Sequence, residues 1–265
     1  MIVNQMKTSK LNSNTEANVY ANKASKVLAT AGLVALALLS VFVIGSSARL
    51  LIAQFSALNA EQELERFIEQ QNQTDVDDDS ITEPGLSRSL TLLDSSMHKV
   101  AGWDSNNPDS LLLLASYQAI KAAQHSELIT GTEQQNRVGY DQAIATAQKA
   151  QKLRPMHAKA FVLEAEYQWR NGGSFDQVLA PFELALRNGP YDKAVVLFGL
   201  EFYLAYWPQL NVEQKILVSS YLLEPRRYRL SHWQINTVVA RSPEKERACR
   251  LLKFNNKPMR TCKGG

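Results

Sequence analysis

The sequence predicts an all-α protein: a single N-terminal transmembrane helix followed by a domain of repeated helical hairpins. Three observations carry that prediction. Residues 27–48 form an uncharged, largely apolar run. Beyond it, helix-like segments recur at a displacement of 35 residues. The 265 residues are 45% hydrophobic and include only 12 Gly, which excludes a disordered or collagen-like bulk.

The apolar run, VLATAGLVALALLSVFVIGSSA, lies between Lys26 and Arg49. Its 22 residues rise about 33 Å as a helix, enough for a hydrocarbon core of about 30 Å. A secretory signal has an apolar core of roughly 7–15 residues and a short basic lead-in. Here the apolar core runs from Val27 to Ile44 and 26 residues precede it. Ser46-Ser47-Ala48 supplies small residues of the kind a signal peptidase accepts, so cleavage is the competing outcome and a retained anchor the expected one. A buried core helix keeps a polar stripe, whereas this run is apolar on every face. Residues 1–26 carry Lys7, Lys10, Lys23 and Lys26 against Glu16 alone. Basic residues beside a span stay in the cytoplasm, so the N-terminus is expected inside and the rest outside. In a Gram-negative bacterium that means a single-pass inner-membrane protein with a periplasmic C-terminal domain.

A net charge of +3 hides strong patterning. Residues 1–57 sum to +4, 58–83 to −8, 84–225 to −2 and 226–265 to +9. From Arg49 to Asn72 there is no Gly or Pro, and Leu51, Phe55, Leu58, Phe67 and Ile68 fall near one helical face. The membrane helix is therefore expected to continue outward by several turns. QTDVDDDSITEPG follows and reads as a linker or loop ending in Pro84-Gly85. Asp75, Asp77 and Asp79 have the spacing of a calcium loop, but Ser80 replaces its glycine and Leu86 its bidentate glutamate, which leaves a solvated acidic linker. The organisation expected is a cytoplasmic basic segment 1–26, the transmembrane helix 27–48, a helical stalk and acidic linker 49–83, a helical domain 84–225 and a basic C-terminal segment 226–265.

The hairpin domain is the most informative region. GYDQAIATAQKAQKLRP aligns with GSFDQVLAPFELALRNGP, so that Tyr140 pairs with Phe175, Ala150 with Ala185 and Pro155 with Pro190. AFVLEAEYQ matches VLFGLEFYL, with Glu166 and Glu201 again 35 apart. An earlier helix, PDSLLLLASYQAIKAA, presents Ala115 and Tyr117 as Ala165 and Tyr167 are presented, with a longer polar connection after it. Small residues such as Ala143 and Ala150 allow close approach, aromatic ones such as Tyr140 and Phe161 fill gaps, and the prolines stop each second helix. A two-helix repeat near 34 residues resembles the tetratricopeptide repeat, present here in a degenerate form of two and a half to three units over residues 108–207. First helices of stacked pairs line the concave side, so Tyr117, Tyr167 and Phe202 are the expected lining of a partner groove.

The whole layout resembles the VpsP family of accessory proteins in bacterial exopolysaccharide biosynthesis. The shared features are a short basic lead, one anchor, external helical repeats and a basic tail with cysteines. The resemblance implies a membrane-anchored, non-catalytic scaffold for inner-membrane proteins of polysaccharide or capsule polymerisation or export. It carries over no catalytic residue. A periplasmic quality-control factor at the secretion translocon shares the layout and is the alternative. A glycan-active enzyme is the competing class.

No catalytic or cofactor motif accompanies the repeats. His98, His125, His157 and His232 are isolated, with no partner at metal-ligand spacing, and no phosphate loop or nucleophile elbow occurs. The expectation is a protein that is not an enzyme and that needs no cofactor or metal. Trp103, Trp169, Trp207 and Trp233 read as core aromatics, unless one stands exposed in the groove and anchors a peptide or sugar. Cys249 and Cys262 are the only two cysteines, and outside the cytoplasm an even pair favours a disulfide contributing about 3 kcal/mol in the chain-entropy model. Residues 226–265 hold eleven Lys or Arg against Glu244 and Glu246. Arg226, Arg227 and Arg229, with Arg247, Arg250, Lys253 and Lys257 if 243–253 are helical, are candidates to meet lipid headgroups or an acidic glycan. Pairing with the acidic 58–83 segment or simple solvation is the alternative, and nucleic acid is not an expected partner outside the cytoplasm.

Overall fold

The computed structural model describes residues 35–49, 51–52, 54–64, 66, 83–128, 133–257 and 259–262, with the side chains of 83–90, 103 and 125–138 outside the description. The basic lead, residues 27–34 of the apolar run, Phe67, Ile68 and the Asp75–Asp79 triplet therefore lie outside the described residues. Helices account for the architecture, and no strand occurs among the described residues.

Helix α1, Ala35–Leu64, is 30 residues long with a mean hydropathy of 2.1 over its most apolar window, none of which is buried. It is long and apolar enough to cross a membrane. The chain divides into two compact units, Met1–Phe55 and Ser56–Gly265. In the first, leucine, valine and phenylalanine side chains stand exposed around the helix, Phe42 and Val41 among them. In the second, the last turns of α1 bury Ser56, Ala60 and Leu64 against α2, Glu83–Trp103, through Leu93, Met97 and Val100. The face that packs is thus the small-residue one, because Ala60 admits a neighbouring helix closely. The Leu51, Phe55 and Leu58 face stays exposed.

Pro84 and Gly85 do not close a loop, as their sequence suggested; they occupy the first turn of α2. The first turn has no intrahelical acceptor for its N–H groups, so proline costs nothing there.

Eight further helices follow: α3 Pro108–Leu128, α4 Glu133–Leu153, α5 Ala158–Arg170, α6 Phe175–Asn188, α7 Lys193–Ala205, α8 Val212–Leu223, α9 His232–Arg241 and α10 Lys245–Phe254. They pack as the pairs α3/α4, α5/α6, α7/α8 and α9/α10, and the first helix of each pair touches that of the next. Most of the polar stretch expected as a connection after the α3 segment is helical among the described residues. Helices α3 and α4 are each 21 residues long, against 13 for α5 and 14 for α6, and leave only residues 129–132 between them. Gln, Glu, Lys and Ser are adequate helix formers, so without an internal Pro the extra sequence lengthened both helices.

Equivalent positions perform equivalent tasks. Pro155 and Pro190 each stand two residues past a second helix. Ala150 and Ala185 are both fully buried at helix crossings. The start of each first helix falls on Asn107, His157 and Asp192. Asn107 accepts from the Asp109 N–H at 3.0 Å and Asp192 from the Ala194 N–H at 2.9 Å, but His157 caps nothing. Between α4 and α5 the buried Glu164 accepts from the Gln148 and Gln151 amides at 2.6 Å each and from Gln168 at 3.3 Å.

The largest core runs from α5 to α10 and is centred on aromatic rings. Phe182 meets Phe198 edge-on at 5.1 Å between centroids and Tyr203 at 5.3 Å, while Phe198 and Phe202 stack at 5.6 Å. Each fully buried ring stabilises the fold by about 1.5–3 kcal/mol, and each ring pair adds about 0.5–1.5 kcal/mol. Gly199 makes this possible: a Cβ there would lie 2.6 Å from Phe182 Cζ and 3.2 Å from Tyr221 Cε2.

Candidate functional site

A groove of about 390 Å³ crosses the first helices of three successive pairs. From α5 it takes Lys159, Val162, Leu163 and Glu166, and from α7 Ala194, Leu197, Phe198 and Glu201. Each α7 residue stands 35 positions after its α5 counterpart, as 159 to 194 and 166 to 201 illustrate. The four positions follow i, i+3, i+4, i+7 spacing, one stripe of a helix, so stacking two like helices lays the stripes side by side. Helix α9 closes the third side with Trp233, Gln234, Thr237 and Val238.

Its electrostatics are uneven. Lys159 stands at one end, and about two turns along α5 Glu166 faces its repeat partner Glu201. Arg170 donates to Glu166 Oε1 from Nε at 3.0 Å and from Nη2 at 2.7 Å. Glu201 makes no hydrogen bond or ion pair among the described residues. Loss of solvent in the groove, and next the Glu166 charge, hold the Glu201 carboxyl above the usual carboxylate range; Arg170 and Arg241 act in the opposite direction. Trp233 is 64% exposed at the α9 rim. The Ser231-His232-Trp233 run has a structural cause: Ser231 caps α9 by accepting from the Gln234 N–H at 3.2 Å, which sets the ring at the start of the helix.

Tyr117, Tyr167 and Phe202 are corrected from groove lining to core. Their exposures are 8%, 3% and 0%. The Tyr117 hydroxyl donates to Asp94 of α2, the Tyr167 hydroxyl donates to Ser116 Oγ at 3.0 Å, and Phe202 lies among the α6 and α7 rings. Burial pushes the Tyr167 hydroxyl well above the ordinary tyrosine range. One residue along a helix is a rotation of about 100°, which carries 166 and 201 to the groove and 167 and 202 to the interior.

The basic tail is also rearranged. Pro225–Tyr228 forms a 3-10 turn, and Arg227 pairs with Glu224 at 3.1 Å while lying over the Tyr191 and Tyr228 rings. Arg227 stays exposed but is held by Glu224 and the two rings, whereas Arg226 and Arg229 make no side-chain hydrogen bond or ion pair among the described residues. Lys257 lies past the end of α10 and donates to the Leu223 carbonyl, so it leaves the expected charge cluster. Arg247 and Arg250 line a second concavity, of about 510 Å³, with Trp207 and the 85% exposed Phe254. Cys249 and Cys262 are at disulfide distance, S–S 1.98 Å and Cα–Cα 5.4 Å, and tie the last 3-10 turn to α10.

Of the tryptophans, Trp169 packs edge-on against Phe198 and Phe202, Trp207 carries Arg247 over its ring, and the Trp103 side chain lies outside the described residues. No three His, Cys, Asp or Glu side chains come together as a metal-holding group among the described residues. No family model, curated protein or solved structure matches this chain.

Proposed function

We propose that this protein is a single-pass membrane-anchored, non-enzymatic docking protein. Its tetratricopeptide-like hairpins hold a partner outside the cytoplasm, as a VpsP-like accessory of exopolysaccharide or capsule assembly. The observation that carries the docking reading is the α5/α7/α9 groove, in which the same four positions of two successive first helices recur at a displacement of 35. Stacked hairpins with a continuous apolar-and-charged concavity bind extended partners without chemistry of their own. The apolar α1 supports the anchor, and a tether concentrates the groove beside membrane-bound polymerisation or export proteins. The uncommitted Arg226 and Arg229 supply a second, weaker contact to anionic lipid headgroups or acidic glycan.

The test is genetic. Deleting the gene lowers exopolysaccharide output without abolishing growth. Replacing the anchor by an unrelated single span largely restores output, whereas truncation after Gln71 does not. Rescue by the anchor fragment alone overturns the reading, because recognition would then reside outside the hairpins.

A further inference from the structure

We infer that the surface between α8 and α10 is a second docking face, which holds an amphipathic helix of a protein partner with carboxylates along one edge of its apolar side. The inference rests on the docking reading and adds a face separate from the first-helix groove.

Helices α8 and α10 are the second members of successive pairs, and they run side by side in the same direction. Arg247, near the start of α10, lies over the Trp207 ring, which precedes α8. Lys257, just past α10, donates to the carbonyl of Leu223, the last residue of α8. The concavity of about 510 Å³ lies between the two helices, and its floor is the buried Leu204, Leu222 and Ala248.

Two independent features point to the ligand. The first is an apolar band without a neighbour. Val212 and Ile216 of α8 are 72% and 65% exposed. With Ser219, which lines the concavity, they follow i, i+4, i+7 spacing and share one helical stripe. On α10 the stripe of Arg247, Arg250 and Leu251 ends in Phe254, itself 85% exposed. A contiguous apolar surface on a folded domain marks an interaction site. Aromatic and arginine side chains are the types enriched where one protein holds another.

The second feature is charge. The lining contains two arginines and no acid. Arg247 is engaged by Glu244 at 2.9 Å, whereas Arg250 makes no hydrogen bond or ion pair among the described residues. Residues 202–212 carry no charge, and residues 211–229 with 244–257 hold nine Lys or Arg against four Glu. Of those four, Glu224 and Glu244 are paired with Arg227 and Arg247, and Glu213 and Glu246 lie outside the lining. The face is therefore basic with every acid counted. Its apolar wall lies on α8 and its unpaired Arg250 on α10, the order that an apolar helix with one acidic edge complements. A second copy of the chain would bring the same basic excess against itself. A flat bilayer would meet Phe254 and leave the concavity unfilled. An acidic glycan would satisfy Arg250 but find no hydrogen-bond partner in the Val212 and Ile216 side chains.

Full-length protein in nanodiscs of zwitterionic lipid is titrated with a fluorescein-labelled helical peptide that has a leucine face and one glutamate edge. A twin peptide carries glutamine for glutamate. The glutamate peptide is expected to bind about tenfold more tightly than its twin, and Arg250→Gln and Phe254→Ser each to weaken it by about tenfold. Arg187 of α6 is exposed and does not line the concavity, so Arg187→Gln controls for general attraction and should leave the affinity unchanged. All three side chains are exposed, so the melting temperatures should stay near that of the parent. Equal binding of the twin, no binding of either peptide, or losses at Arg250 and Phe254 no larger than at Arg187 overturn the inference. Stronger competition by a polyuronate or by phosphatidylglycerol vesicles than by unlabelled peptide overturns it in favour of an acidic glycan or a lipid surface. Pairing of two copies that Phe254→Ser abolishes overturns it in favour of self-association. The docking reading is judged separately: if the hairpins remain necessary for polysaccharide output while the peptides fail, it stands and only this face falls.

Discussion

Gln151 Nε2 donates to Glu164 Oε2 at 2.6 Å across the α4/α5 boundary, where Glu164 is only 8% exposed. Gln148 and Gln168 supply the other donors to this carboxylate, so three neutral amides and no basic side chain satisfy it. Removing the acceptor strands the amides. Glu164→Ala should lower the stability of the hairpin domain by about 2–3 kcal/mol, the cost of orphaned buried donors. Glu166→Ala, at an exposed ion pair, should cost under about 1 kcal/mol. Thermal unfolding of both variants in detergent compares them, and equal losses would refute a buried polar link.

Gly199 is a packing residue. Gly199→Val forces atoms into the space of the Phe182 and Tyr221 rings and should cost about 2 kcal/mol or more. Adding Phe182→Leu should be less harmful in that background than alone, because the ring tip is the obstruction. Strict additivity in a double-mutant cycle would remove the explanation.

His157 occupies a cap position and does not cap. Its Nδ1 is buried without a hydrogen-bond partner, and burial, with Arg154 next, holds the imidazole below its ordinary range. Because the folded pKa is depressed, the unfolded chain takes up a proton first. Stability is full above the ordinary histidine range and is lost as pH falls through about 6.5 toward the folded value. His157→Asp recreates the cap that Asp192 makes one repeat later and should raise stability by about 1 kcal/mol near pH 7. The advantage should widen at pH 5, and parallel melting curves at both pH values would argue against it.

Cys249 and Cys262 predict no free thiol in denatured, unreduced protein. Two labelled thiols would remove the bridge. Replacing both by serine should cost about 3 kcal/mol in the chain-entropy model, felt where Met259 is buried beneath the last turn. Protease nicking after residue 254 should rise while the α5 to α8 core keeps its melting temperature.

The sequence by itself determined the all-helical class, the 35-residue equivalence of α5 with α7 and α4 with α6, the proline stops and the cysteine pair, but not the start of α2 or the bounds of α8 and α9. Each is local or strictly periodic: a proline ends a helix wherever it stands, and equivalent residues stay equivalent under any common rotation. What the tertiary structure alone decided was that rotation. Glu166 and Glu201 were legible as repeat partners, yet their neighbours Tyr167 and Phe202, one residue further on, looked equally suited to a groove. Packing of α3, α4 and α6 against the same helices turned the tyrosine and phenylalanine inward, because a buried ring gains far more than a buried carboxylate. Trp233 joined the groove from a short helix that follows at a different spacing, so no period in the chain connected it to Glu201; only the stacking of α9 beside α7 did.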